Sequence, residues 1–244
     1  METLFPNLAR HVLDRDALVF FDFEGTEKSA HAIALAVVII PKEPGALDGE
    51  DKGISFSSYI QTAERITPII TRLTGITNTL LKKEGQPFDK VLLTFMELLA
   101  PYKKPLFISY GNNDIKILTR SINRTLASER EIEKLVLKNY FDFQNYIKDY
   151  LVSPKGQPLS VSKLMDFYSL SPAGEYHDPL VDSLSLRSIY SSFVESADKT
   201  AEDVLSCYPN NRNLIAPAKR LADLLLAKKK VTIEDFRKEI KDSL

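Results

Sequence analysis

The hydrophobic pattern divides the chain into an opening group of strands and a longer stretch in which helical and extended periods alternate. Residues 17–21, ALVFF, form an unbroken apolar run; residues 29–40 form a longer one rich in Ile and Val; residues 53–61 alternate loosely. This pattern predicts three strands, the second of them central and buried. A loop over residues 42–52, carrying Pro44, Gly45 and Gly49, separates the last two, so the three strands read as an antiparallel meander. The first sixteen residues read as a short helical lead-in.

Beyond residue 67 the period lengthens. The segment ITPIITRLTGITNTLLKK predicts short helical turns around Gly75, and residues 87–99 set apolar side chains at helical spacing between Pro87 and Pro101. PLFIS, residues 105–109, predicts a short strand, 112–126 a helix and 137–141 a fifth strand. Helices follow over 144–151, 159–168 and 178–194, the last after the turn residues Pro172 and Gly174. From 200 to 244 the pattern is helical, with a break at 209–213, and no internal repeat is visible. The order β-β-β-α-β-α-β followed by helices indicates an α/β fold with a mixed sheet. The expected division is a domain over residues 1–198 and a helical C-terminal extension over 199–244.

A chain of 244 residues, 44% hydrophobic and 27% charged, has the composition of a soluble globular protein with a full core. Its one cysteine, Cys207, excludes an internal disulfide and a multi-cysteine zinc site, and fits a reducing interior. The longest apolar run, residues 32–40, is too short to span a bilayer, and the N-terminal residues lack the basic-then-apolar order of a signal peptide. The expectation is a cytoplasmic protein with no membrane partner. A net charge of −1 gives no global basic footprint for nucleic acid. It does not exclude one, because a carboxylate cluster lowers the net charge while its metal ions restore positive charge locally. The pairs Lys82-Lys83 and Lys103-Lys104 and the run from Lys228 to Lys230 read either as solvated faces or as contacts to a phosphate backbone.

The candidate chemistry begins in VFFDFEGT, where the first strand ends in Asp22 and Glu24. Residues two apart on a strand share a face, so both carboxylates can aim at one point. Two anions side by side raise each other's pKa unless a cation lies between them, and hard oxygen ligands suit Mg²⁺ or Mn²⁺. Taken alone, the pair also reads as a strand end facing water. Asp114 stands where a helix would begin after PLFIS, a position that a routine helix-capping acid would also occupy. In YHDPLVDSLSL, His177 precedes the last long helix and Asp182 lies in its first turns, with Asp178, beside His177, as a competing acid.

Together, D-x-E at a strand end, Asp at a strand-to-helix junction and H-x-x-x-x-D opening a late helix resemble the DEDDh 3′-5′ exonucleases of the ribonuclease-H-like superfamily. The resemblance covers residues 17–195, and ITPIITRLTGIT resembles a stretch after the third strand in the proofreading branch of that family. Two departures are visible. Asn113 stands where many members carry Phe or another bulky residue, and Gly25-Thr26 follows the acid pair in place of the more usual Thr-Thr-Gly.

The resemblance implies a ribonuclease-H-like mixed five-stranded sheet flanked by helices. It implies metal-dependent hydrolysis of single-stranded DNA or RNA from a free 3′ end, with release of nucleoside 5′-monophosphates. Two ions, Mg²⁺ or Mn²⁺, about 3.5 to 4 Å apart, would be held by Asp22, Glu24, Asp114 and Asp182. Asp22 would bridge them, Glu24 and Asp182 would hold the ion that carries the attacking water, and Asp114 would support the second. His177 would be the general base, since a neutral imidazole is poised for that at neutral pH. By the same resemblance, Phe23, Gly25 and Thr26, with Leu73, Thr74, Gly75 and Ile76, would surround the terminal base and sugar. Tyr110, Tyr176 and Phe23 lie near the acids in sequence and read as stacking surfaces or as core. The alternative is a catalytically inactive nucleic-acid or protein binding module that keeps the fold. The C-terminal helices would either pack on the domain or meet a second copy or a protein partner.

Overall fold

The computed structural model describes residues 6–49, 53–123, 126–149, 151–153, 156–174, 178–195 and 215–242. After the short helix α1 (Pro6–Val12) come β1 (Ala17–Gly25), β2 (Ala32–Pro41) and β3 (Ile54–Tyr59). Helices α2 (Pro68–Thr74), α3 (Asn78–Glu84) and α4 (Phe88–Leu99) lead to β4 (Pro105–Ser109), followed by α5 (Asn113–Ser121), α6 (Ala127–Lys138) and β5 (Tyr140–Asp142). Then follow α7 (Phe143–Ile147), α8 (Val161–Phe167), α9 (Pro179–Glu195), α10 (Ile215–Leu226) and α11 (Ile233–Lys241). None of these helices is long and apolar enough to cross a membrane.

The five strands form one mixed sheet in the order β3-β2-β1-β4-β5. β1, β2 and β3 pair antiparallel, as the meander predicts, while β4 runs parallel to β1 and β5 parallel to β4. β2 is buried at nine consecutive positions, as expected for a strand covered on both faces. The two-residue period of β1 sorts its side chains between two cores. Leu18 and Phe20 face a cluster built with Leu186, Ile189, Tyr190 and Phe193 of α9. Val19, Phe21 and Phe23 face another, with Val91, Phe95, Ile117 and Leu118 of α4 and α5. Asp22 and Glu24 continue the Leu18-Phe20 row, so the sheet face beneath α9 ends in carboxylates.

Local chemistry explains the smaller elements. Thr67 N-caps α2, with Pro68 at its first position and Gly75 closing it at φ +70°, and Thr77 N-caps α3 in the same way. Two short helices therefore stand where ITPIITRLTGITNTLLKK predicts helical turns. The helix expected over 112–126 ends earlier, at Ser121, because Ile122 takes extended backbone. Residues 127–136, to which the hydrophobic pattern assigns no element, form most of α6, and β5 is correspondingly shorter than expected. α10 and α11 pack on each other, linked by Arg220 and Glu239 at 2.5 Å. Cys207 and the expected break at 209–213 lie outside the described residues.

Candidate metal centre

Three carboxylates converge. Asp22, Glu24 and Asp182 each present an oxygen within 4.8 Å of the others. Asp22 and Glu24 share a face of β1, and the register of β1 against β2 shifts between Glu24 and Gly25, a local irregularity of the kind that re-aims side chains beside functional sites. Asp182 arrives on the first turns of α9, which Asp178 caps by accepting from the Leu180 N–H at 2.9 Å. Ser183, buried beside Asp182, donates to the Ala36 carbonyl at 3.4 Å and seats the helix on β2. The competing acid Asp178 thus serves as a cap, and Asp182 is the member of the pair that reaches the cluster.

Asp114 is not one of these three and approaches β1 from α5. It is 5% exposed and sits in the first turn of α5, where a carboxylate is favoured by the helix dipole. Its Oδ1 accepts the Phe23 N–H at 2.8 Å, so it grips the backbone between Asp22 and Glu24.

The electrostatics are those of anions held together out of water. Burial, with the charges of Asp114, Glu24 and Asp182, raises the Asp22 carboxyl well above its usual range. Glu24 is raised to about 8 by burial and by Asp182 and Asp114. Burial raises Asp114 to about 7, against the pull of hydrogen bonds from Phe23, its own N–H and Ser109. Asp22 is partly exposed as a residue, yet its Oδ2 is buried with no hydrogen-bond partner. A buried carboxylate oxygen without a donor, among three other acids, fits a cation as its missing partner. The oxygen-only donor set fits a hard divalent ion.

No family model matches the chain, and no curated protein matches it. Solved structures do. Cell-death related nuclease 4 (CRN-4) matches with a TM-score of 0.55 at 21% sequence identity, over 76% of this chain and 65% of that one, which is just under two thirds of its length. The nuclease domain of 3′hExo, a DEDDh family member solved bound to rAMP, matches with a TM-score of 0.56 at 18% identity, over 75% of this chain and 94% of that one. A 3′-exonuclease solved in specific recognition of the 3′ end of a histone mRNA stem-loop matches with a TM-score of 0.57 at 18% identity, over 77% and 66% of the two chains. The chain has the fold of these nucleases.

In this chain Asp22 and Glu24 lie on β1, Asp114 on α5 and Asp182 on α9, the strand end, helix start and late helix on which the sequence pattern places them. His177 and Tyr176 lie outside the described residues. The residues expected around the terminal nucleotide are placed more variously. Phe23 and Ile76 are core side chains, 3% and 1% exposed. A Cβ on Gly25 would lie 2.9 Å from Ile117, so glycine there lets α5 approach β1. Thr26 is buried, donating to Glu64 at 2.8 Å and accepting from the His31 N–H at 3.1 Å. Thr74 donates to the Ile70 carbonyl at 2.9 Å, and Gly75 ends α2. Leu73 alone of this set exposes a large apolar side chain, at 49%, and Ile69, one turn earlier and 53% exposed, extends the patch.

A cavity of about 430 Å³ opens beside Asp22 and Asp182, with Tyr110, Gln144, Ser160 and Ser162 on its walls. Of these four, the sequence pattern points only to Tyr110. The others come from separate segments, and nothing in their spacing signals a shared wall. Glu64 was equally silent in the sequence, yet it accepts from Thr26, from Ser29 and from the Lys28 N–H, binding the turn after β1 to the segment that leads into α2.

Proposed function

We propose that this protein is a metal-dependent 3′-5′ exonuclease that removes nucleoside 5′-monophosphates from the free 3′ end of single-stranded DNA or RNA. The observation that supports the reading is the buried, unpartnered Oδ2 of Asp22 inside a cluster of three carboxylates, with the charge of Asp114 acting on it as well. Asp22, Glu24, Asp182 and Asp114 would hold two Mg²⁺ or Mn²⁺ ions. When bound, such ions supply an activated water and positive charge for the phosphate and the departing oxygen.

The chain's own groups do the rest. His177 takes the proton from the attacking water, the bond from phosphorus to the 3′ oxygen of the preceding nucleotide breaks, and the shortened strand recovers a 3′ hydroxyl with a proton from solvent. Ile69 and Leu73 give the terminal base an apolar surface. The bonds of Glu64 to Thr26 and Ser29 fix the turn after β1 on the same flank. A cytoplasmic setting suits a chain whose single cysteine is Cys207. Because one matched nuclease was solved with rAMP and another on a histone mRNA stem-loop, RNA is the first substrate to try.

The test is incubation of the full chain with 5′-labelled single-stranded RNA and DNA in Mg²⁺ or Mn²⁺, with chelator and Asp22→Ala as controls. Stepwise shortening from the 3′ end with monophosphate release is expected. Oligonucleotide binding without shortening would favour the inactive module, and shortening that survives Asp22→Ala would refute the acid mechanism.

A further inference from the structure

The cavity beside the acids lies on the other flank of β1 from the turn that Glu64 holds. In the strand order, β2 and β3 stand on one side of β1 and β4 and β5 on the other. Thr26, Glu64 and α2 belong to the β2-β3 side. Tyr110 directly follows β4, Gln144 lies on α7 directly after β5, and Ser160 and Ser162 lie at the start of α8. A phosphodiester seated over Asp22 and Asp182 carries a nucleoside on each side. With the terminal one toward Thr26 and Leu73, the one before it enters this cavity.

The lining favours a sugar over a phosphate. Among the described residues Asp22 and Asp182 are the charged side chains that line it, and away from these metal-holding acids its wall offers a phosphate no cation. Val161 and Leu186 offer apolar surface for the C–H groups of a furanose ring, and Gln144 and Ser162 offer neutral donors and acceptors for a hydroxyl. These polar groups are held in place. The Gln144 side chain hydrogen-bonds the Tyr110 hydroxyl, which donates in turn to the Leu159 carbonyl. Gly111, at φ +92°, leaves Gln144 its room, since a Cβ there would lie 3.0 Å from Oε1. The hydroxyls of Ser160 and Ser162 are 3.0 Å apart, and Ser160 is fixed by accepting the Lys163 N–H at 3.3 Å.

We propose that this cavity seats the ribose of the penultimate nucleotide and that Gln144 and Ser162 read its 2′-hydroxyl, making RNA the substrate. The inference rests on the exonuclease reading above. The 2′-hydroxyl, both donor and acceptor, is the group by which a protein tells RNA from DNA.

The test uses the full chain in Mg²⁺ or Mn²⁺ with four single-stranded oligomers: all-ribose, 2′-deoxy at the terminal nucleotide, 2′-deoxy at the penultimate nucleotide, and all-ribose with the penultimate base changed. The penultimate deoxy substitution is expected to lower kcat/KM for the first cleavage about tenfold, the scale of one well-made hydrogen bond. The terminal deoxy substitution and the base change should leave it near the all-ribose value. In Gln144→Ala and in Ser162→Ala the all-ribose oligomer should fall toward the penultimate-deoxy value, which itself should move little. Equal cleavage of the all-ribose and penultimate-deoxy oligomers by the unsubstituted protein would overturn the inference while leaving the exonuclease reading intact. So would a deficit that follows the base. Failure to cleave any oligomer would overturn the exonuclease reading and this inference with it.

Discussion

The backbone N–H of Phe23 donates to Oδ1 of Asp114 at 2.8 Å, across 91 positions of sequence. The bond pins the residue between Asp22 and Glu24 to the first turn of α5, so the placement of these two acids depends on a third. Asp114→Asn keeps an acceptor and should preserve this geometry. Asp114→Ala leaves a buried N–H without a partner, at a cost of about 1–3 kcal/mol. Thermal unfolding of the two variants in chelator should therefore separate them, with Ala the lower. Coincident melting curves would show that the bond holds nothing in place.

The raised carboxyls make the metal-free protein sensitive to pH in a defined direction. Glu24 moves from 4.5 to about 8 and Asp114 from 3.8 to about 7 on folding. Between the unfolded and folded values the native state binds more protons than the unfolded chain, so stability is lost as pH rises through that window. In chelator the urea midpoint should fall between about pH 5 and 8, and Mg²⁺ or Mn²⁺ should reduce the fall by supplying the missing positive charge. Asp22→Asn, which removes one of the crowded anions, should flatten the chelator curve and weaken the response to metal. A midpoint that stays level across this range in chelator would contradict the crowding.

The legible parts of this molecule are those whose period is simple. The apolar run of β1 followed by Asp22 and Glu24 two apart shows both the strand and the face its acids take. α6 was hidden because its buried face is thin and mixed: Ile132 and Val136 share it with the buried Glu129 and Glu133, so no apolar stripe stands out. The helix expected over 112–126 is longer than α5 because Ile122 keeps the apolar period while its backbone turns extended. Beyond Tyr110 the walls of the cavity could not be read, since Gln144 and Ser162 come from α7 and α8 and meet Tyr110 only in the folded chain. The role of Glu64 depends likewise on a contact 38 positions away, without any local pattern to announce it.

Glu64 ties Thr26, Ser29 and the Lys28 N–H to the segment before α2. Its carboxyl is held below the usual range by the Ser29 and Thr26 hydroxyls, in that order, so the tether is strongest while Glu64 is ionised. Because the group is only partly buried, its loss should act locally. Glu64→Ala is expected to speed hydrogen exchange at residues 26–31 and to raise KM for an oligonucleotide more than it lowers kcat. Unchanged exchange in that turn would show that the tether is idle.

The far end of α9 is held by a separate clamp. Asp48, on the loop after β2, accepts from Arg187 Nη1 at 3.0 Å and from the Ser191 hydroxyl at 2.6 Å, and the Tyr190 hydroxyl donates to the Leu47 carbonyl at 2.7 Å. The guanidinium also lies over the Phe20 ring, 5.9 Å from its centre. Both charged side chains are largely buried, 10% and 16% exposed. Removing one partner of such a pair leaves a charge without its counter-ion, at about 3–5 kcal/mol. Asp48→Ala should therefore lower the unfolding midpoint strongly. Asp48→Asn, which keeps the hydrogen-bond acceptor, should cost less, and Arg187→Met in the Asp48→Ala background should recover part of the loss. Since Asp182 is set on β1 and β2 by its own end of the helix, the rise in melting temperature on adding Mn²⁺ should persist in each variant. Loss of that rise in Asp48→Asn would instead mean that the clamp sets the position of Asp182 along the sheet.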